Sequence, residues 1–279
     1  MPFFLRLLTL LLGAYLSGCA SLATDHLANN LSRAMLNQTD PEIVRSGAPA
    51  YLLLLDSLIA QDPEDQDLLF AGARLYGAYA GGLVDDADRQ QGLTDKALDY
   101  ARRGLCPETP SLCKALDQPY DNFTQALAEV DEDEIEGVYL YATSWAGWIR
   151  THSDDWQALA QLPKAQAMLN WVVALDPGFE QGRAQLYLGV IGSQIPPALG
   201  GRPEVGRRHF EAAINYSHGR DLIMKVEYAR HYARLVFDQA LHDRLLTDVI
   251  EADPVADGFT LSNIMAQRQA AQLLQDDYF

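Results

Sequence analysis

WVVALDP, residues 171–177, is the stretch whose reading decides the fold. Val172 and Val173 are followed by two variable positions, and Asp176-Pro177 then ends the run. Proline lacks the amide hydrogen a helix needs, and it biases the residue before it to an extended backbone. The same ending occurs in SLIAQDP, residues 57–63, and in DVIEADP, residues 248–254. Around these stops, apolar residues recur at helical spacing, as in Leu52, Leu55, Leu58 and Ile59, and again in Leu68, Ala71, Leu75 and Tyr79. Alternating strands bounded by Asn-Gly or Asp-Gly do not occur. The chain is therefore expected to be all-α, with a new helix after each Asp-Pro: Glu64–Ala80, Gly178–Ser193 and Asp257–Leu274.

Aligning the helix ends yields a repeat. The second helix of a tetratricopeptide unit runs Ala-x₃-Phe-x₂-Ala-x₄-Pro. Ala165, Leu169, Val172 and Pro177 fall at those offsets, and His242, Leu246, Val249 and Pro254 follow them more loosely. Gly206, Phe210 and Ala213 keep the spacing without the proline. The expected architecture is a set of stacked helical hairpins, degenerate tetratricopeptide-like repeats wound into an α-α superhelix. The alternative is an unrelated helical bundle with coincidental stops. Residues 82–123 break the pattern and read as an insertion with a helix near Thr94–Arg103.

The N-terminal region reads as a leader. Leu7–Leu16 is almost wholly apolar, too short for a membrane span of roughly 20 residues but suited to a signal-peptide core. Leu16-Ser17-Gly18-Cys19 resembles the bacterial lipobox, whose cysteine receives a diacylglycerol before cleavage. Residues 1–18 are then the signal peptide and residues 19–279 one helical domain anchored through Cys19. An ordinary signal peptide with an incidental cysteine is the alternative. Ala20 and Ser21 follow the cysteine instead of an inner-membrane retention Asp, which favours the periplasmic face of the outer membrane.

With 21 basic and 38 acidic residues the chain carries a net charge of −17. Nucleic acid and anionic membrane surfaces would be repelled, so neither is expected as a direct partner. Cys106 and Cys113 lie in GLCPETPSLCK, residues 104–114. In an oxidising periplasm they are expected to form a small structural disulfide. A metal site is disfavoured, since no histidine or second cysteine pair is close.

Signatures of chemistry are scarce. Gly-x-Ser-x-Gly, His-Glu-x-x-His and the phosphate-loop pattern are absent. The acidic run DEDEIE, residues 131–136, fails as a calcium loop because Glu136 stands where glycine is required. ALGGRPEVG, residues 198–206, follows a helix and lacks Lys-Ser/Thr; it reads as a turn with Pro203 near the first helical position. Neither metal nor cofactor is expected, and Glu211 and Glu227 qualify as catalytic acids only because helices contain glutamates. The aromatic stripe Tyr141, Trp145 and Trp148 is more distinctive. Such a stripe is more often core than binding site. In stacked hairpins, however, concave surfaces bind ligands, so these three, with Tyr76 and Tyr79, are the candidate ligand contacts.

Several stretches resemble the T-component family of tripartite ATP-independent periplasmic (TRAP) transporters. They are SWAGWIRTHSDDW with ALAQLPKAQAMLNWVVALDP, LYLGVIGSQIPPALGGRPEVGRRHFEAAINYSHGRDLIMKVEYARHYAR, and the terminal LSNIMAQRQAAQLLQDDYF. The resemblance implies a helical periplasmic lipoprotein without catalytic residues. It also implies a homotrimer, pairing with a TRAP solute-binding protein, and an apolar pore or groove suited to a hydrophobic or amphiphilic ligand. A generic tetratricopeptide-like lipoprotein that scaffolds envelope assembly is the competing reading.

Overall fold

At each of the three Asp-Pro stops the aspartate helps to close the turn. Asp62 and Asp176 cap the C-termini of their helices through their own amides. The Asp176 carboxylate then accepts from the Gly178 amide at 2.9 Å, and Asp253 accepts from Val255 at 2.9 Å. Aspartate also starts helices. Asp40, Asp65, Asp86 and Asp238 each accept a backbone N–H from the first turn they precede. Part of the acidic excess is thus capping chemistry.

The computed structural model describes residues 30–276 and 278–279. The leader and Cys19 lie outside the described residues. The fold is all-α, 76% helical with thirteen packed α-helices and no strand among the described residues. A helical segment over residues 30–36 precedes α1 (Pro41–Gln61), α2 (Gln66–Gly82), α3 (Ala87–Leu105), α4 (Pro110–Ala115) and α5 (Tyr120–Ala128). Then come α6 (Ile135–Thr151), α7 (Trp156–Leu159), α8 (Leu162–Leu175), α9 (Phe179–Gly192), α10 (Pro203–Tyr216) and α11 (Ile223–Glu227). A π-helical turn (Tyr228–Ala233) leads to α12 (Gln239–Glu251) and α13 (Thr260–Leu274).

Packing is mostly between neighbours in this order: α2 on α3, α3 on α6, α6 on α8, α8 on α9, α9 on α10, and α12 on α13. The approach of α2 to α3 is close. A Cβ added at Gly72 would sit 2.6 Å from the Tyr100 ring. The segment read as an insertion therefore supplies α3, longer than the helix expected near Thr94–Arg103, and α3 lies along both α2 and α6. Cys106 and Cys113 are joined by a disulfide at the end of α3, with Cα atoms 5.6 Å apart.

One buried cluster runs from Val44 on α1 to Leu188 on α9, and a second gathers around Phe210, Tyr228 and Leu246. The array closes on itself. Asn37 donates to the Asp257 carboxylate and accepts from the Gly258 amide, both at 2.8 Å. Leu261 and Met265 of α13 pack against the first cluster. Pro203 occupies the first turn of α10, as its fixed φ favours.

Candidate functional site

Phe179–Gly192 does not begin as a plain helix. Glu180, Gln181 and Gly182 have φ of 49°, 57° and 84°. Left-handed backbone costs a residue with a Cβ roughly 1–2 kcal/mol, so the surrounding bonds must hold this turn in place. Arg74 on α2 donates to Glu180 at 2.8 Å and to Glu136 on α6 at 2.8 Å. Arg220 donates to the Gln181 side chain at 2.6 Å. At Gly182 a Cβ would meet the Tyr216 Cβ at 2.9 Å and the Ala213 backbone at 3.1 Å, so glycine is needed for both φ and space. Strained turns of this kind cluster at sites and switches.

The turn aims Arg183 at Asp221, 3.0 Å away. The Asp221 side chain is wholly buried, whereas 38% of the Arg183 side chain stays accessible. Burial pushes the Asp221 carboxyl above its usual range, and the Arg183 charge opposes that shift. Arg183 also lies over the Phe259 ring at 5.9 Å, and Arg220 approaches the same ring at 5.6 Å. Four residues along α9, on the same face, Tyr187 is half-buried. Burial raises its phenol, and the charges of Arg183, Arg150 and Glu227 act on it. Tyr139 of α6 stands edge-on to Phe179, with ring centres 5.2 Å apart. Burial raises this phenol too.

Glu227 closes the other side. It accepts from Arg230 at 2.7 Å and lies 3.0 Å from the His231 ring nitrogen. Burial works against its charge, yet His231 and Arg230 hold its carboxyl below the usual range. Arg230 continues to Gln269 of α13 at 2.7 Å. Arg230 and His231 belong to the π-helical turn, an element common at functional sites. The result is a polar seam between α6, α9 and the α11–π segment, with aromatic walls and arginine side chains that are paired with carboxylates and partly accessible. Such a seam can bind and orient a solute. Among the described residues no three metal-ligating side chains gather.

The five aromatic residues chosen from sequence lie elsewhere and do not meet at one surface. The Tyr76 hydroxyl donates to Asp56 at 2.8 Å, and the Tyr79 hydroxyl to the Arg45 carbonyl at 3.2 Å. Tyr141 and Trp145 are packed, with 4% and 2% of their surface exposed. Phe123 of α5 stands edge-on to Trp145 at 6.3 Å, and the Trp145 indole donates to Gln161 at 2.8 Å. Trp148 is half-buried, stacks on His152 at 4.5 Å and donates to Asp95 at 2.8 Å. Of the two glutamates weighed as acids, Glu211 pairs with Arg207 and Tyr228, and Glu227 belongs to the seam. Sequence reading missed Arg183, Arg230 and His231, and noted Tyr187 only as an aromatic in a helix near the Tyr141–Trp148 stripe. The only local signals for Arg183 were its place four residues before Tyr187 and Gly182 beside it.

Comparison with curated proteins yields no match. The family model of the TRAP transporter T-component matches residues 37–279, nearly the whole chain, and the chain belongs to that family.

Proposed function

We propose that this protein is a lipid-anchored, periplasm-facing component that binds the solute-binding protein of a TRAP system and handles its ligand within the helical array. Family membership itself makes the chain an accessory part of TRAP transport and places it in the bacterial envelope. In the proposal, residues 1–18 are cleaved, Cys19 is acylated, the outer membrane holds the anchor, and three copies assemble. The family match over residues 37–279 is the observation that carries this reading. Ligand handling is supported by the seam of Arg183, Tyr187, Glu227 and Arg230, which combines aromatic surface with cationic heads. Trp148 is the one of the five sequence-chosen aromatics that we keep as a ligand contact. The other four are 2–5% exposed and offer a ligand almost no surface.

The test is capture from native periplasm with tagged residues 20–279, followed by mass spectrometry. Recovery of a TRAP solute-binding protein is the expected result. Recovery of barrel-assembly or secretion proteins without a solute receptor would replace it with the scaffold reading. Light scattering on the same sample checks the trimer.

A further inference from the structure

Helix α1 is apolar on both sides, although only one side is packed. Val44, Ala48, Leu52, Leu55 and Ile59 face the core. The opposite half carries Ile43, Ser46, Gly47, Ala50, Leu53, Leu54 and Ser57, all exposed. Ile43, Leu53 and Leu54 keep 57%, 70% and 51% of their surface accessible. No charged side chain interrupts this half between Glu42 and Gln61. Arg45 is drawn aside to Glu42, Asp85 and the Leu83 carbonyl. Asp56 is drawn to Lys96, Tyr76 and Tyr100. An uncharged half-helix is unexpected on a chain of net charge −17. The segment over residues 30–36 extends the surface. Leu31, Ala34 and Met35 border, with Ile43, Gly47 and Leu54, an apolar groove of about 410 Å³. A helix apolar all round is normally enclosed, by protein or by lipid.

We infer that this outer face of α1 docks into the interfacial layer of the membrane that holds the Cys19 anchor. The inference rests on the proposed anchor. What selects lipid over another protein is the length of chain outside the structure. Ten residues separate Cys19 from Asn30. Fully extended they reach about 35 Å, so the anchor keeps α1 beside the bilayer. A short tether of this kind raises the effective concentration of the second contact to the millimolar range. The apolar face is then held in the interface more firmly than it would be alone, as amphipathic anchoring helices are. The lack of charge on this face spares it the repulsion that the acidic remainder would meet at an anionic surface.

The lipidated full chain, reconstituted in phosphatidylcholine vesicles, provides the test. Cys19 carries lipid and Cys106 pairs with Cys113, so an environment-sensitive dye goes to a cysteine placed by Leu54→Cys or, as a reference, by Phe237→Cys. Expected are a blue-shifted dye at position 54 and severalfold stronger quenching by nitroxide-labelled lipid than at 237. Equal quenching by aqueous iodide at both positions would overturn the inference. So would a dye at 54 shielded from iodide yet insensitive to the nitroxide lipid, which would mean a second protein covers α1. Intact mass distinguishes failure of the anchor from failure of docking. If Cys19 proves unmodified, vesicle flotation of that chain decides: binding that Leu53→Ser with Leu54→Ser abolishes upholds docking, and no binding ends it.

Discussion

Arg183 reaches across from α9 to a carboxylate, Asp221, that has no other cationic partner within 4.0 Å among the described residues. Asp221 is fully enclosed and Arg183 is partly wet, so their contributions are unequal. Removing the cation leaves a buried charge alone, which typically costs about 3–5 kcal/mol. Arg183→Met is expected to lose stability of that order in urea unfolding at pH 7, and Asp221→Asn markedly less. The pH dependence separates the two. Burial raises the folded-state Asp221 above its unfolded value, so the folded chain holds the proton more tightly. That contribution is fully present below the unfolded value and is lost as pH rises through the folded one. Without Arg183 the shift grows, so the deficit of Arg183→Met should narrow as the pH is lowered. A deficit unchanged with pH would mean that Asp221 is not the stranded charge.

Gly182 tests the left-handed turn. Gly182→Ala adds a Cβ at φ +84°, against the Ala213 backbone at 3.1 Å. Torsional strain and the clash together are expected to cost roughly 2–4 kcal/mol. Gln181→Gly should behave differently. It relieves strain at φ 57° while losing the bond from Arg220, and the two effects should offset to within about 1 kcal/mol. Thermal melts of both variants decide the matter. If Gly182→Ala melts with the parent, the turn has room for a Cβ and the 3.1 Å approach to the Ala213 backbone does not constrain it.

Glu227 carries the opposite sign. Burial disfavours its charge, but His231 and Arg230 overcome it and hold the folded carboxyl low. Its stabilisation is present above the unfolded value and lost as pH falls through the folded one. Glu227→Gln should cost about 1.5–3 kcal/mol at pH 7, the range for hydrogen bonds to charged groups. The difference from the parent should shrink below about pH 4, near the ordinary carboxylate value. A gap that stays constant to pH 3 would locate the loss in packing instead of charge.

The helices were legible because local rules fix their ends. Asp62-Pro63, Asp176-Pro177 and Asp253-Pro254 stop helices by chemistry that needs no tertiary partner. The turn at Glu180–Gly182 was not legible. Glu and Gln are good helix formers, and the conformation is imposed by Arg74 and Arg220 from distant elements. The aromatic stripe on α6 could be read as a face, but what covers it could not. Phe123 and α3, which do so, come from the very stretch that looked irregular. The seam suffers similarly: Arg183, Tyr187 and Glu227 meet only once α9 and α11 are brought together.

The disulfide offers the last expectation. It joins residues seven apart, so it constrains little of the unfolded chain. Chain-entropy arguments give about 2.5 kcal/mol for a loop this short. Its surroundings are independently secured. Leu105 and Leu112, each beside a bridged cysteine, are buried at 0% and 1% exposure, and the Thr109 hydroxyl donates to the Leu105 carbonyl at 2.9 Å. The double variant Cys106→Ser with Cys113→Ser should therefore fold, keep its helical circular dichroism at 25 °C and lose about 2 kcal/mol in urea. Parent protein treated with reductant should match it. Collapse of the helical signal on reduction would show that the bridge, and not the packing of Leu105 and Leu112, holds the α3–α4 corner together.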